Sequence, residues 1–171
     1  YYDDQFKNYV ICRENGLTID DSQVASDFND RHIVEATKLL KSGVSVDELI
    51  GIRDNLQQSF DDYYTLGHTP AVGLILVQLV QYRTENNLSG HDLVLATTPN
   101  PYDDDYDKVP SPVRVKSLAE GIIAGIPEDK LIEIIHSART DEELADLVEV
   151  ASFVQEIDFL TEQVNDSGLQ M

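Results

Sequence analysis

The sequence predicts an all-α protein, an irregular bundle of about eight helices, and three observations predict it. Hydroxyl residues recur with an acid three positions on, apolar residues recur at helical spacing, and a Gly or Asn stands just before most of these starts. With 171 residues, 42% of them hydrophobic, the chain has material for one respectable core. Residues 1–171 are therefore read as a single acidic helical domain.

The helix starts are the clearest elements. Thr18/Asp21, Ser45/Glu48, Ser89/Asp92 and Thr140/Glu143 have the shape of capping boxes. In each, the hydroxyl accepts from a first-turn backbone N–H that has no other partner, and the acid sits at the positive end of the helix dipole. Asp in place of Glu or Gln weakens the first and third. Thr69-Pro70 and Ile126-Pro127 supply two more starts, because Pro is tolerated where the N–H is unpaired anyway.

The stripes follow in chain order. Ile33, Thr37 and Leu40 lead to a stop at Ser42-Gly43, and Leu49, Ile52, Leu56 and Phe60 form the next face. Ala71 to Val80, broken by Gln78, reads as a buried helix, well short of the roughly 20 apolar residues of a membrane span. Leu131, Ile134, Ile135 and Ala138 form a further stripe. The last helix, at about 140–164, carries Leu144, Leu147, Val148, Ala151, Val154, Ile157, Leu160 and Val164. It is expected to pack through that whole stripe with its acids outward, over roughly 37 Å.

Lys41 to Ile50 resembles Ile123 to Ile132: a helix end, a Gly, an apolar residue, a cap and a new amphipathic start. Asn15-Gly-Leu-Thr-Ile-Asp is a weaker echo. The unequal spacing argues for recurrent punctuation and against a repeat array. Leu93 to Lys116 departs from the helical pattern: Leu-Val-Leu-Ala-Thr-Thr and Val-Arg-Val-Lys have strand-like composition that admits a small β-hairpin near 93–116. Between them lies an acidic loop, about 99–112, whose four prolines predict an exposed and irregular course.

Charge is the other informative feature. The net charge of −20 is unevenly placed: from Thr140 to Met171 there are nine acids and no Lys or Arg, and residues 54–107 hold nine acids against Arg83 alone. Residues 108–139, with four acids and five bases, are the near-neutral exception. Such a surface repels DNA, RNA and anionic membrane, so its electrostatic partner should be basic. Salt adaptation produces a similar composition, and the 20 Asp with only six Lys fit that account too. A lone Cys12 leaves no internal disulfide and suits a reducing compartment, the cytoplasm of a cell or phage host. The opening Tyr1-Tyr2-Asp3-Asp4 fits a processed or trimmed N-terminus.

Reaction chemistry finds little support. Asp103, Asp105 and Asp107 alternate like the first ligands of a calcium loop, but Lys108 stands where the turn Gly belongs and Arg114 where the bidentate acid belongs, which excludes an EF-hand. Glu133 and His136 have di-iron spacing but no second copy occurs. Cys12 beside Arg13 could form a thiolate, although a free cysteine on an apolar face is more often core. No phosphate-cradling Gly loop, nucleophile elbow or zinc-ligand Cys pair is present. No catalytic residue, metal ligand or cofactor is assigned.

The expected function is a non-catalytic interaction module that engages a basic protein surface. Tyr102 and Tyr106 bracket Asp103, Asp104 and Asp105 with Asp107 following, and Tyr63-Tyr64 follows Asp61-Asp62. Aromatic rings beside carboxylates attract Arg by charge and by stacking. Glu142, Asp146, Glu149 and Glu156 lie close to one stripe of the last helix, and such like charges destabilise an isolated helix by about 0.2–0.5 kcal/mol per pair. That uncompensated cost supports an alternative, a nucleic-acid mimic of the phage or mobile-element kind that inhibits a nucleic-acid-binding protein. An enzyme built from Asp and His distant in sequence is the third reading.

Overall fold

The computed structural model describes residues 2–28, 32–57, 70–102 and 110–166. Among them are nine helices and no strand: α1 (Tyr2–Glu14), α2 (Ile19–Ala25), α3 (Ile33–Lys41), α4 (Val46–Gln57), α5 (Pro70–Glu85), α6 (Gly90–Ala96), α7 (Pro112–Ile123), α8 (Glu128–Ser137) and α9 (Asp141–Asp166). The all-α expectation holds.

The starts form as the sequence dictates. Thr18 Oγ1 accepts from Asp21 N at 3.1 Å, and Thr140 Oγ1 from Glu143 N at 3.1 Å. Ser45/Glu48 and Ser89/Asp92 close complete capping boxes, with both reciprocal bonds between 2.9 and 3.1 Å. In the fourth box, Glu143 Oε2 accepts from Arg139 N rather than from the cap residue's own N–H. Pro70 is the first residue of α5, and α8 begins directly after Pro127.

The resembling segments prove to be one turn used repeatedly. Gly16, Gly43 and Gly125 all take a left-handed φ, of 86°, 105° and 89°, and Asn87 takes 56°. After each glycine the next N–H reaches back across the helix end: Leu17 N to Cys12 O, Val44 N to Leu39 O and Ile126 N to Gly121 O, at 3.1–3.2 Å. This is the Schellman closure, which satisfies carbonyls the helix leaves open. In all four turns the following residue, Leu17, Val44, Leu88 or Ile126, is buried, and the residue after that is Thr18, Ser45, Ser89 or Pro127, immediately before the next helix.

The expected hairpin near 93–116 does not form. Leu93 to Ala96 belongs to α6 and Val113 to Lys116 to α7. Local capping decides against strand composition: Ser89 caps α6, Ser111 Oγ accepts from Arg114 N at 3.1 Å, and Pro112 occupies the first turn of α7. Helical spacing then buries Leu93 and Ala96 on α6, and Val115, Leu118 and Ala119 on α7.

The helices α1 to α4 pack among themselves, and α3 also meets α5 while α4 meets α6. In turn α5 and α6 pack on α7, which also meets α8 and α9. The buried side chains form one continuous apolar core, with Val72, Ile75, Leu76 and Leu79 of α5 wholly inside it. Cys12 is part of that core at 0% exposure, and burial pushes its thiol pKa up despite a hydrogen bond with Thr37. Arg13 turns away from it to donate to Leu17 O at 3.0 Å.

The last helix departs from expectation. It runs the predicted course, but only Leu144 and Val148 are buried, with Ala151 packed beside them. Val154, Ile157, Leu160 and Val164 of the predicted packing stripe are exposed, at 46–52%. Gln155 still lies against the body, its Cγ 3.7 Å from where a Cβ on Gly125 would stand. From Glu156 to Asp166 every residue is exposed, about 16 Å of helix. No helix among the described residues is long and apolar enough to cross a membrane.

Candidate interaction surface

The base of α9 is fixed by a buried arginine. Arg114, 1% exposed, donates from Nε to Thr98 O at 2.8 Å and from Nη2 to Pro99 O at 3.3 Å, and Nη1 stands 3.4 Å from Asp141 Oδ1. The other oxygen of Asp141 accepts from Ser111 Oγ at 2.8 Å. One guanidinium thus joins the end of α6, the body of α7 and the start of α9. Removing its charge from so dry a site would leave the carbonyls and the carboxylate without their common donor. Close packing continues the attachment: a Cβ on Gly121 would fall 3.0 Å from Val148 Cγ1, so α7 and α9 approach here at glycine distance.

The first candidate cluster is anchored at the same place. Tyr102 is exposed; its hydroxyl donates to His136 O, and the Arg139 guanidinium lies over its ring at 5.2 Å from the centroid. Asn100 Nδ2 donates to Arg139 O at 2.8 Å. The Arg stacking expected of a partner is thus made at Tyr102 by this chain's own Arg139. Asp103, Asp104, Asp105, Tyr106 and Asp107 lie outside the described residues, as do Phe60, Tyr63 and Tyr64. Both flanks of that acidic segment are nevertheless tied to the α8–α9 junction, through Tyr102 to His136 at the end of α8 and through Ser111 to Asp141 at the start of α9.

The second cluster is displayed on α9 itself. Glu142, Asp146, Glu149 and Glu156 are all exposed, and none forms an ion pair among the described residues. At 3.6 residues per turn, Phe153, Ile157 and Leu160 lie on the opposite side of the axis from Leu144, Val148 and Ala151, with Val150 at the edge of that side. Their exposures run from 46 to 62% for Ile157, Leu160 and Phe153, with Val150 at 63%. The helix therefore has two apolar faces, one against α7 and one turned to solvent. Glu142, Asp146 and Glu149 lie on the solvent-turned face, N-terminal to its apolar part. Their spacing was readable in the sequence as 150/153/157/160, but apolar periodicity alone assigns a residue to a face, not to a neighbour.

Among the described residues, no cation pairs with these carboxylates of α9. Arg53 pairs with Asp27 at 2.5 Å, and Arg83 donates to Ser42 O at 2.7 Å and to Leu88 O at 2.8 Å, joining two of the recurrent turns. Together with Arg13, Arg114 and Arg139, all five described arginines are engaged by this chain's own carbonyls, carboxylates or rings. Glu133 lies 3.5 Å from Lys130, and His136 is exposed on the same helix; no three of His, Cys, Asp and Glu converge among the described residues. Compared with known proteins, the chain matches no family model, no curated protein and no solved structure.

Proposed function

We propose that the protein is a non-catalytic interaction module that engages a basic partner protein through α9. The observation that carries this reading is the solvent-turned face of α9. It presents carboxylates at Glu142, Asp146 and Glu149 and, further along the same face, the exposed side chains of Val150, Phe153, Ile157 and Leu160. A carboxylate row costs helix stability through like-charge repulsion, and exposed Phe and Ile gain nothing in water. A partner that brings both cations and apolar surface relieves both at once.

The nucleic-acid mimic shares the carboxylate row and remains the second reading. The apolar continuation of that row favours the module, since imitation of a phosphate backbone calls for charge alone.

Capture from host lysate, eluted with a salt gradient, tests the two. A partner that is lost when Glu142, Asp146 and Glu149 are all changed to Lys, while circular dichroism shows the helices intact, supports the module. Release at moderate salt together with displacement by added DNA or RNA would instead establish the mimic. Unchanged capture by the charge-reversed protein would reduce the acidity to a solubility device and overturn both.

A further inference from the structure

The face of α9 that points away from α7 is divided along its length, and the division identifies what can cover it. Toward the N-terminus its exposed residues are Glu142, Asp146 and Glu149; toward the C-terminus they are Val150, Phe153, Ile157 and Leu160. The apolar part has heptad spacing, with β-branched Val150 and Ile157 at one core position and Phe153 and Leu160 at the other, the pattern that accepts a second helix. Glu149 and Glu156 flank it on one side, Val154 and Thr161 on the other, so no cation stands at the edge.

Resting on the module reading above, we infer that this face binds one partner helix of matching split character. One end of the partner carries apolar residues at heptad spacing, and the other carries Lys or Arg toward Glu142, Asp146 and Glu149. Charge complementarity selects such a helix over a second copy of this chain. A parallel copy in register sets the three carboxylates of each helix against those of the other. A fully overlapping antiparallel copy lays carboxylates on Val150 to Leu160 and strips them of water. An antiparallel copy that overlaps only through the apolar parts brings Glu156 against Glu156 beside the twofold axis, in molecules that each carry a net charge of −20.

Two heptads bury too little to hold a helix alone, so the apolar part fixes register while the carboxylates supply attraction. Salt should therefore weaken binding without abolishing its dependence on the apolar residues.

The test uses the full chain and two synthetic peptides of identical composition, read by fluorescence anisotropy. In one, Leu and Ile occupy the heptad positions of one half and Lys those of the other. In its control, the same Lys, Leu and Ile residues are interleaved, cationic with apolar, along the contact row. The split peptide should bind at least about ten-fold tighter than the control. Ile157→Glu, at an exposed position where circular dichroism should report an unchanged helix content, should erase that preference. Asp146→Lys with Glu149→Lys should weaken the split peptide while leaving residual apolar selectivity.

Equal binding of the two peptides would mean that only net charge is recognised: the split-helix inference falls and the basic-partner reading stands. No binding of either peptide, with a partner still captured from lysate, overturns the inference alone. No peptide binding and no captured partner overturns both. Sedimentation that shows a concentration-dependent dimer abolished by Ile157→Glu, without peptide binding, would assign the face to a second copy and also overturn the inference.

Discussion

The two halves of α9 both carry apolar side chains and meet opposite fates. Between Asp141 and Gln155 the helix is tied down by Arg114, and Leu144 and Val148 are buried against α7, where Gly121 admits the close approach. Between Glu156 and Asp166 it carries Ile157, Phe159, Leu160 and Val164, and all four are exposed. Amphipathic pattern is thus a statement about what a helix can bury, and a neighbour is needed to bury it. In the first half α7 is that neighbour. In the second half the pattern continues beyond the reach of α7, while the solvent-turned face proposed for a partner begins in the docked half at Glu142 and runs on through Leu160.

If that contrast is correct, the largest effect should come from the anchor of the docked half. Arg114→Leu leaves Asp141 and the carbonyls of Thr98 and Pro99 without their shared donor. Asp141 is partly solvated and keeps Ser111, so the cost falls mainly on the two carbonyls, at about 1–3 kcal/mol for each one left without a donor. Urea denaturation should show that loss, with α9 released from the start of α7.

A matched pair of truncations probes the contrast directly. Leu144→Ala opens a cavity at a fully buried position and should cost about 2–5 kcal/mol, whereas Leu160→Ala, at an exposed position, should stay within about 0.5 kcal/mol. Equal losses at the two sites, measured by urea denaturation, would show that the far half of α9 is packed in solution and would abolish the distinction.

Much of this architecture was legible in the sequence, for physical reasons that differ between elements. Caps are local: Ser45 and Glu48, or Ser89 and Asp92, need only each other and three intervening residues, so their pairing follows from spacing. The Gly43 and Gly125 turns are equally local, since a left-handed residue and a buried apolar follower suffice. Strand composition at Leu93 to Lys116 misled because Val, Leu and Thr describe an apolar surface as readily as a strand, and the caps at Ser89 and Ser111 outweigh it. Arg114 was hidden for another reason. Its role depends on Thr98 and Asp141, 16 and 27 residues away, and nothing in Val113-Arg-Val says that those groups will converge. The acids of α9 were readable, but the solvent exposure of Phe153 and Ile157 depends on which face of α9 meets α7.

Gly121→Ala sharpens the boundary between the halves at smaller cost. The new methyl would meet Val148 Cγ1 at 3.0 Å and Ile126 Cδ1 and Leu131 Cδ1 at 3.3 Å each, all buried and none the loose end of a long polar chain. Overpacking of this kind costs about 1–3 kcal/mol. The loss should appear in urea denaturation together with weakened protection of amides near Val148, while those beyond Glu156 should not respond.

A gentler probe is alkaline pH, because among the described residues the two groups with raised pKa values lie in the body rather than in the far half of α9. Burial raises the Cys12 thiol above its ordinary 9.0, and burial with Glu120 nearby raises the Tyr82 phenol above its ordinary 10.0. In each case the folded protein holds its proton more tightly than the unfolded chain does. Their stabilisation is therefore complete below the ordinary values and is lost as pH rises through them and toward the raised ones. Thermal unfolding should show stability falling above about pH 9. A chain ending at Gln155 should fall in parallel with the full one; a divergence would mean that the far half of α9 interacts with the body after all.

The smallest thermodynamic effect, and the most direct test of the contrast, is in the far half itself. Eleven helical residues with four carboxylates and no cation would be marginal as a free peptide, since helix nucleation is unfavourable and short helices rarely repay it in water. Here the docked half supplies the nucleus, so the far half needs only propagation. Amides from Glu156 to Asp166 should consequently exchange with little protection, while those near Leu144 and Val148 should approach the protection of the core. Added split-character peptide should raise protection in the far half and leave the docked half near its original level. If the far half is already as protected as Leu144 without any peptide, it has a neighbour in solution and the contrast between the two halves fails.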